Sequence, residues 1–332
     1  MEHPRTTIRE SSLGAGSGAG DGPALRLVQL DNGVVEVAFL PELGGKMISL
    51  RRRATGREFL LGIPEPGRVY RRPGASAAFA DFDTSGFDEC LPTVAACRYP
   101  GSEFADAWLP DHGELWSVPW QHQIEGEQLT LTVAGRALPF VLTRRVRLEG
   151  ASVEIDYELA NQSDSAFQFL WSAHPLLRVE EGARVVLPES VRELLVEGSK
   201  GERLGRPGEL CGWPLATLGN GERVDLSLIQ SPAAGHADKL FTPRLETGQC
   251  ELRFPRSNEG IRFRFDPRQT PYVGLWLCQG GWPRVPGHFT VALEPCSGRP
   301  DSLAAASARG ECRTLPPLGH ARWTLSIDLL AG

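Results

Sequence analysis

No segment of this sequence comes near the roughly 18 to 20 consecutive apolar residues that a membrane-spanning helix needs. The first 22 residues carry charges, serine and glycine but no apolar stretch. They do not read as a secretory leader and are expected to form a flexible tail, residues 1–22. A basic surplus is also missing: 35 Lys and Arg stand against 41 Asp and Glu, the net charge is −6 and the pI is near 5.7. Nucleic acid would call for a basic face, and the short run Arg51-Arg-Arg53 beside an apolar strand reads as a solvated turn. The seven cysteines are scattered, odd in number and never spaced C-x-x-C, which argues against a disulfide framework and a zinc knuckle. They are expected to be reduced and mostly buried, in a cytoplasmic protein. There is no repeat of solenoid period and no G-x-S-x-G nucleophile elbow.

What the sequence has instead is short strands and turns. Its 37 glycines and 26 prolines supply the turns, and 41% hydrophobic residues supply a core. Leu25–Leu30 and Val34–Phe39 flank Asp31-Asn-Gly33, a hairpin signal. Val153, Ile155 and Tyr157 alternate with Glu154, Asp156 and Glu158, the pattern of a half-buried antiparallel strand. Phe167–Ala173, Cys250–Phe254, Gly260–Phe265, Tyr272–Leu277, Phe289–Leu293 and Arg322–Leu330 read as further strands, and Glu58–Leu61 as a short one. Glu189–Trp213 reads as a loop. Ile63–Pro110 has weak periodicity and reads as a functional loop or a covering segment, with Asp81 and Asp83 on its solvated surface. One helix is expected near Ser302–Arg309, with Asp301 as N-cap and Gly310 past its end. The pattern predicts an all-β protein, one large antiparallel sandwich over residues 23–332.

Chemistry concentrates in Leu109–Trp120, which holds a histidine, two carboxylates and two tryptophans in a punctuated loop. Gly113 there lets the backbone turn or approach a ligand closely. Pro175 stops a strand at His174, and Pro295 follows Glu294 at the end of another. A carboxylate placed there is costly unless paired or used. Asp238 is an acid in a comparable setting. Trp116, Trp171, Trp276 and Trp282 could offer flat surface to a sugar, and core packing explains each of them as well. A metal reading competes: His112 and Glu114, two apart, would share one side of an extended strand and could join His174 or Glu294.

Seven stretches together resemble the aldose 1-epimerase (galactose mutarotase-like) family. They are Asp31-Asn-Gly33, Leu40-Pro-Glu-Leu-Gly-Gly45, Pro110-Asp-His-Gly-Glu-Leu-Trp116, Ser172-Ala-His-Pro175, Ala237-Asp-Lys-Leu-Phe241, Gly274-Leu-Trp276 and Ala292-Leu-Glu-Pro295. The resemblance covers about residues 25 to 330 and rests on their order. It implies a β-supersandwich, a sugar site in an open cleft on one sheet, and interconversion of the α and β anomers of an aldose without a cofactor. By the same resemblance Glu294 is the general base, His174 the general acid, His112 the group that positions the sugar, and Asp238 a binder of hydroxyls. As the acid, His174 must be charged near neutral pH, which a neighbouring carboxylate would favour. Many members carry arginine where this chain has Glu114, so Glu114 and Phe87-Asp-Glu89 become candidates to bind hydroxyls or a cationic group. Asp88, Trp116 and Trp276 complete the expected substrate site. A sugar phosphate would call for converging arginines, and Arg71 and Arg72 read as surface charges.

The expectation is an aldose 1-epimerase-like isomerase acting on a small carbohydrate, as a monomer or homodimer, with no nucleic-acid or membrane partner. Its rivals are a non-catalytic carbohydrate-binding protein on the same scaffold and a metal-assisted sugar isomerase or lyase.

Overall fold

Residues 5–13, 24–74, 77–283 and 287–331 are described by a computed structural model. The strand Ser152–Asn161 shows how the molecule is built. Val153, Ile155, Tyr157 and Leu159 are buried while the residues between them are half-exposed. It pairs antiparallel with Phe140–Glu149 on one side and His320–Leu330 on the other, and both repeat the alternation. Eight strands form this sheet, in the order Arg184–Val186, Gln249–Phe254, Glu259–Phe265, His320–Leu330, Ser152–Asn161, Phe140–Glu149, Gln128–Ala134 and Gln121–Glu125. Its apolar face packs on an eleven-stranded sheet. That sheet runs Thr7–Leu13, Leu25–Asp31, Val35–Leu40, Lys46–Arg52, Phe87–Cys90, Ser172–Arg178, Phe289–Cys296, Tyr272–Gln279, His236–Phe241, Glu193–Ser199 and Leu210–Gly212. One continuous apolar core, with Phe39, Phe87, Ile155, Phe263, Leu275 and Leu325, lies between the two sheets. Among the described residues no helix is long and apolar enough to cross a membrane.

A buried polar hub also joins the layers. Glu89, on the larger sheet, accepts from Arg144 Nη1 at 2.9 Å and Tyr157 Oη at 2.7 Å on the smaller one, and from Trp171 Nε1 at 2.7 Å. Its second oxygen serves Trp171 alone, so three donors satisfy a carboxylate that no solvent reaches. This places two expected site residues in the core: Glu89 and Trp171 brace the sandwich.

Several elements depart from the sequence reading. Thr7–Leu13, within the expected tail, is the edge strand of the larger sheet, paired with Leu25–Asp31. Its side chains are mostly exposed, so it has no apolar alternation to show; backbone pairing seats it, helped by Ile8 and Leu13 against the core and by Glu10 beside Arg26 and His122. Residues 1–4 and 14–22 of that expectation lie outside the described residues. Glu193–Ser199, expected as loop, is a strand seated against His236–Phe241, with Leu194, Leu195 and Val196 buried. Three apolar residues among charges and glycines carry no local period, and the distant pairing decides. Glu58–Leu61 forms isolated bridges, Arg51 to Glu58 and Leu60 to Leu177, rather than a strand. Phe167–Ala173 is divided between a short Phe167–Phe169 pair and the Ser172–Arg178 strand. The helix Leu303–Arg309 ends on Gly310 at φ 67° as expected, but its N-cap is Ser302, whose Oγ accepts from the Ala305 N–H. Asp301 is turned elsewhere.

Candidate active site

Residues directly opposite in an antiparallel ladder share a face. His174 pairs with Asp88 on one side. On the other side the register joins Ser172 to Cys296 and Leu176 to Ala292, which sets His174 across from Glu294. Glu294 pairs with Gly274, and Gly274 with Phe241. One row across the middle of the larger sheet therefore reads Asp88, His174, Glu294, Gly274, Phe241, on the face turned away from the core. The next row on that face reads Leu176, Ala292, Trp276, Lys239.

The irregular segment expected to cover the fold does so here. It supplies Phe79, Val94 and Ala95 to a cleft of about 740 Å³, part of it open to solvent. Asp111 organises its rim: Oδ2 accepts the Phe79 N–H at 3.0 Å, Oδ1 lies 3.0 Å from His112 Nδ1, and the carbonyl accepts from Trp116 Nε1 at 3.0 Å. Burial raises the Asp111 carboxyl, but His112 and the Phe79 N–H outweigh it and hold it below its ordinary value. An ionised carboxylate only accepts, so Nδ1 of His112 carries the proton. The His112 ring lies flat on Phe79, with centroids 4.1 Å apart and 15° between planes. It meets the His174 ring edge-on at 4.9 Å.

His112 and Gly113 both take left-handed backbone, at φ 58° and 67°. A Cβ on Gly113 would lie 2.2 Å from the Leu91 carbonyl oxygen, so the glycine serves a close approach to the protein's own backbone rather than to a ligand. This turn also overturns the strand geometry on which the His112–Glu114 metal pair depended. Glu114 points away, accepting from the Arg136 and Ala137 N–H groups at 2.7 and 3.1 Å. Among the described residues no group of three or more His, Cys, Asp or Glu is arranged to hold a metal ion.

Glu294 is wholly buried, and His174 is 6% exposed. Both line the cleft, with Lys239 and Asp301 beside them. Lys239 Nζ donates to Glu294 Oε2 and lies 3.4 Å from Asp301 Oδ1. Among the described residues neither Glu294 Oε1 nor His174 Nδ1 has a hydrogen-bond partner. Burial raises the Glu294 carboxyl, Lys239 opposes this and Asp301 adds to it, and the net direction is upward. Burial depresses the Lys239 ammonium, but Asp301 and Glu294 more than reverse that and hold it above its ordinary value. His174 is held well below its ordinary value by burial first, then by His112, Lys239 and Lys46. The expected charge on His174 is thus opposed: burial and the ammonium groups of Lys239 and Lys46 favour its neutral form.

Of the expected site residues, His112, His174, Glu294 and Trp276 come together around the cleft. Asp238 does not: strand alternation turns it to the other face, where it pairs with Arg203 and accepts from Ser199 Oγ at 2.7 Å. Asp88 lies beside His174 but is paired with Lys46 at 2.8 Å, which also binds Asp83 at 2.5 Å. Asp83, expected in solvent, is therefore buried. Trp116 stands behind Phe79, edge-on at 5.3 Å, and braces it. Trp282 does reach the cleft and meets Trp276 edge-on. The reading missed Lys239, Asp301, Phe79 and Asp111. Lys239 had no local signal: the register that pairs it with Trp276, rather than any pattern within its own strand, turns it and not its neighbour Asp238 to the cleft.

No protein-family profile matches the chain, and no curated protein is similar to it in sequence. Solved structures do share its fold. A galactose mutarotase related enzyme from Lactobacillus acidophilus superposes with a TM-score of 0.64 at 17% identity, over 91% of this chain and 97% of that one. A galactose mutarotase-like protein from Clostridium acetobutylicum gives 0.64 at 13%, over 98% and 99% of the two chains. A Klebsiella pneumoniae chain whose name suggests an aldose 1-epimerase gives 0.70 at 13%, over 98% and 84%. The expected architecture is borne out: the fold is the galactose mutarotase-like sandwich of large antiparallel sheets.

Proposed function

We propose that the cleft binds an aldose and interconverts its α and β anomers by general acid–base catalysis. One observation carries the reading: Glu294 Oε1 and His174 Nδ1 are buried, lack hydrogen-bond partners among the described residues and stand side by side on neighbouring strands at one cleft. Buried polar atoms are rarely left unpaired without a use. Glu294 Oε1 takes the proton of the anomeric hydroxyl, whose O–H electron pair forms the carbonyl bond as the C1–O5 pair leaves to the ring oxygen. The ring oxygen takes a proton from His174 in its imidazolium form. The aldehyde end rotates and the steps reverse, so no cofactor enters. Each positioned group contributes roughly 10²- to 10⁴-fold. His112, oriented by Asp111 and Phe79, holds the sugar from the rim, and Trp276 offers it a flat face.

The substrate is an uncharged aldose in this reading. The ammonium of Lys239 is already balanced by Glu294 and Asp301. Arg71 stacks on Phe82 at 4.2 Å, and Arg72 pairs with Glu42 at 3.3 Å. Exchange NMR on a panel of free aldoses and their phosphates tests both statements. Glu294→Gln and His174→Asn should each slow anomer exchange by roughly 10²-fold or more while remaining folded. Full activity in both variants would remove the role assignment, and faster exchange of a phosphate would remove the substrate class.

A further inference from the structure

Lys239 has no part in the acid–base step above, yet its ammonium occupies the cleft between two carboxylates. Its position is fixed from several sides. Asp301 is anchored by its own backbone, whose carbonyl accepts the Val94 and Ala95 N–H groups at 2.9 Å. The Phe241 ring lies 5.3 Å from Nζ, and Gly274 leaves the space in which Glu294 reaches it. We propose that Lys239 is a positioning residue of the proton-transfer pair: its ammonium holds Glu294 Oε2 and leaves Oε1 as the oxygen that takes the proton. This rests on the reading of Glu294 as base.

The same charge acts on the titration of both partners. A cation favours the carboxylate form of Glu294 and the neutral form of His174. The other groups facing the pair and Lys239 are Asp301 from the turn before the helix, Glu197 from Glu193–Ser199 (its carboxyl raised to about 7 by burial and Asp301), His112 and Asp111 from the covering segment, His288 at the cleft wall, Asp88 and Cys90 from Phe87–Cys90, Lys46 from its strand, and Cys296 two residues beyond Glu294. All of them remain when Lys239 is changed. Loss of the ammonium raises both pKa values. The rising limb of activity, set by Glu294, and the falling limb, set by His174, then move to higher pH together. A residue that merely supports the fold would lower the rate and leave the limbs where they are.

The experiment is kcat/KM for anomer exchange against pH in the wild type, Lys239→Met and Lys239→Arg, with thermal unfolding as the check on folding. Lys239→Met should move both limbs upward by about one to three pH units. Lys239→Arg should keep the wild-type limbs. Carboxyl ¹³C NMR of Glu294, assigned by its loss in Glu294→Gln, should titrate higher in Lys239→Met without any sugar present. Unmoved limbs with an unmoved Glu294 titration would overturn the inference. A moved Glu294 titration in a protein that exchanges no aldose would uphold the Lys239–Glu294 relation and overturn the catalytic reading. Should Lys239→Met fail to fold, Lys239→Gln carries the same neutral charge and the same two readouts.

Discussion

Gly274 stands opposite Glu294 in the ladder, and a Cβ at position 274 would lie 2.9 Å from Glu294 Oε2 and 3.2 Å from the Phe241 ring. The absent side chain is what lets the carboxylate lie along the sheet and meet Lys239. Gly274→Ala should therefore push the carboxylate aside while leaving the ladder intact. A displacement of about 1 Å at the reacting group is worth on the order of 10²-fold in rate. The expected result is a loss of that order in kcat for anomer exchange, with the thermal midpoint nearly unchanged. An alanine variant with wild-type kcat would mean that the position of Oε2 does not matter to the chemistry.

The architecture was readable because alternation is a local signal. Val153, Ile155 and Tyr157 declare their strand whatever lies beside it. Thr7–Leu13 could not be read, since an edge strand with mostly exposed side chains leaves no apolar stripe. The site was half readable. His112, His174 and Glu294 announced themselves by residue type in a dense loop or beside a proline, although the strands Ser172–Arg178 and Phe289–Cys296 run on through Pro175 and Pro295 instead of stopping there. Asp238 and Lys239 are adjacent, and only the register against Trp276 says which of them faces the cleft. Asp301 looked like a cap because an acid before Ser-Leu-Ala-Ala-Ala fits one. Ser302 takes that task and frees Asp301 for Lys239. Asp88, Glu89 and Glu114 illustrate the same limit, since a row of acids in sequence does not reveal that each has a separate partner in space.

The Glu89 hub yields a stability prediction. Glu89→Gln would keep the shape but leave Arg144 as a buried charge without its counterion and set an amide donor among three donors. Breaking one side of a fully buried pair costs about 3–5 kcal/mol. Denaturant unfolding should show a loss of that size, and anomer exchange per folded molecule should survive it. The double replacement Glu89→Leu with Arg144→Met removes both charges, and it should cost less than either single change. A double variant as unstable as the sum of the two singles would show that the hub's value is not the pairing.

The pH profile of the wild type follows from the opposed directions of its two central groups. Glu294 works as a carboxylate, so activity rises as pH climbs through a pKa that burial and Asp301 hold above the ordinary glutamate value. His174 works as an imidazolium, so activity falls as pH climbs through a pKa that burial, His112, Lys239 and Lys46 hold well below the ordinary histidine value. The two limbs are thereby driven towards each other. The window in which Glu294 is ionised and His174 charged is narrowed from both sides, so the profile is a narrow bell. His174→Asn should abolish the falling limb and Glu294→Gln the rising one, each in a residual rate. A broad plateau through neutral pH would show that the proton reaching the ring oxygen comes from a group other than His174. The imidazole nearest to it in space is His112, which meets its ring at 4.9 Å and is backed by the Asp111 carboxylate.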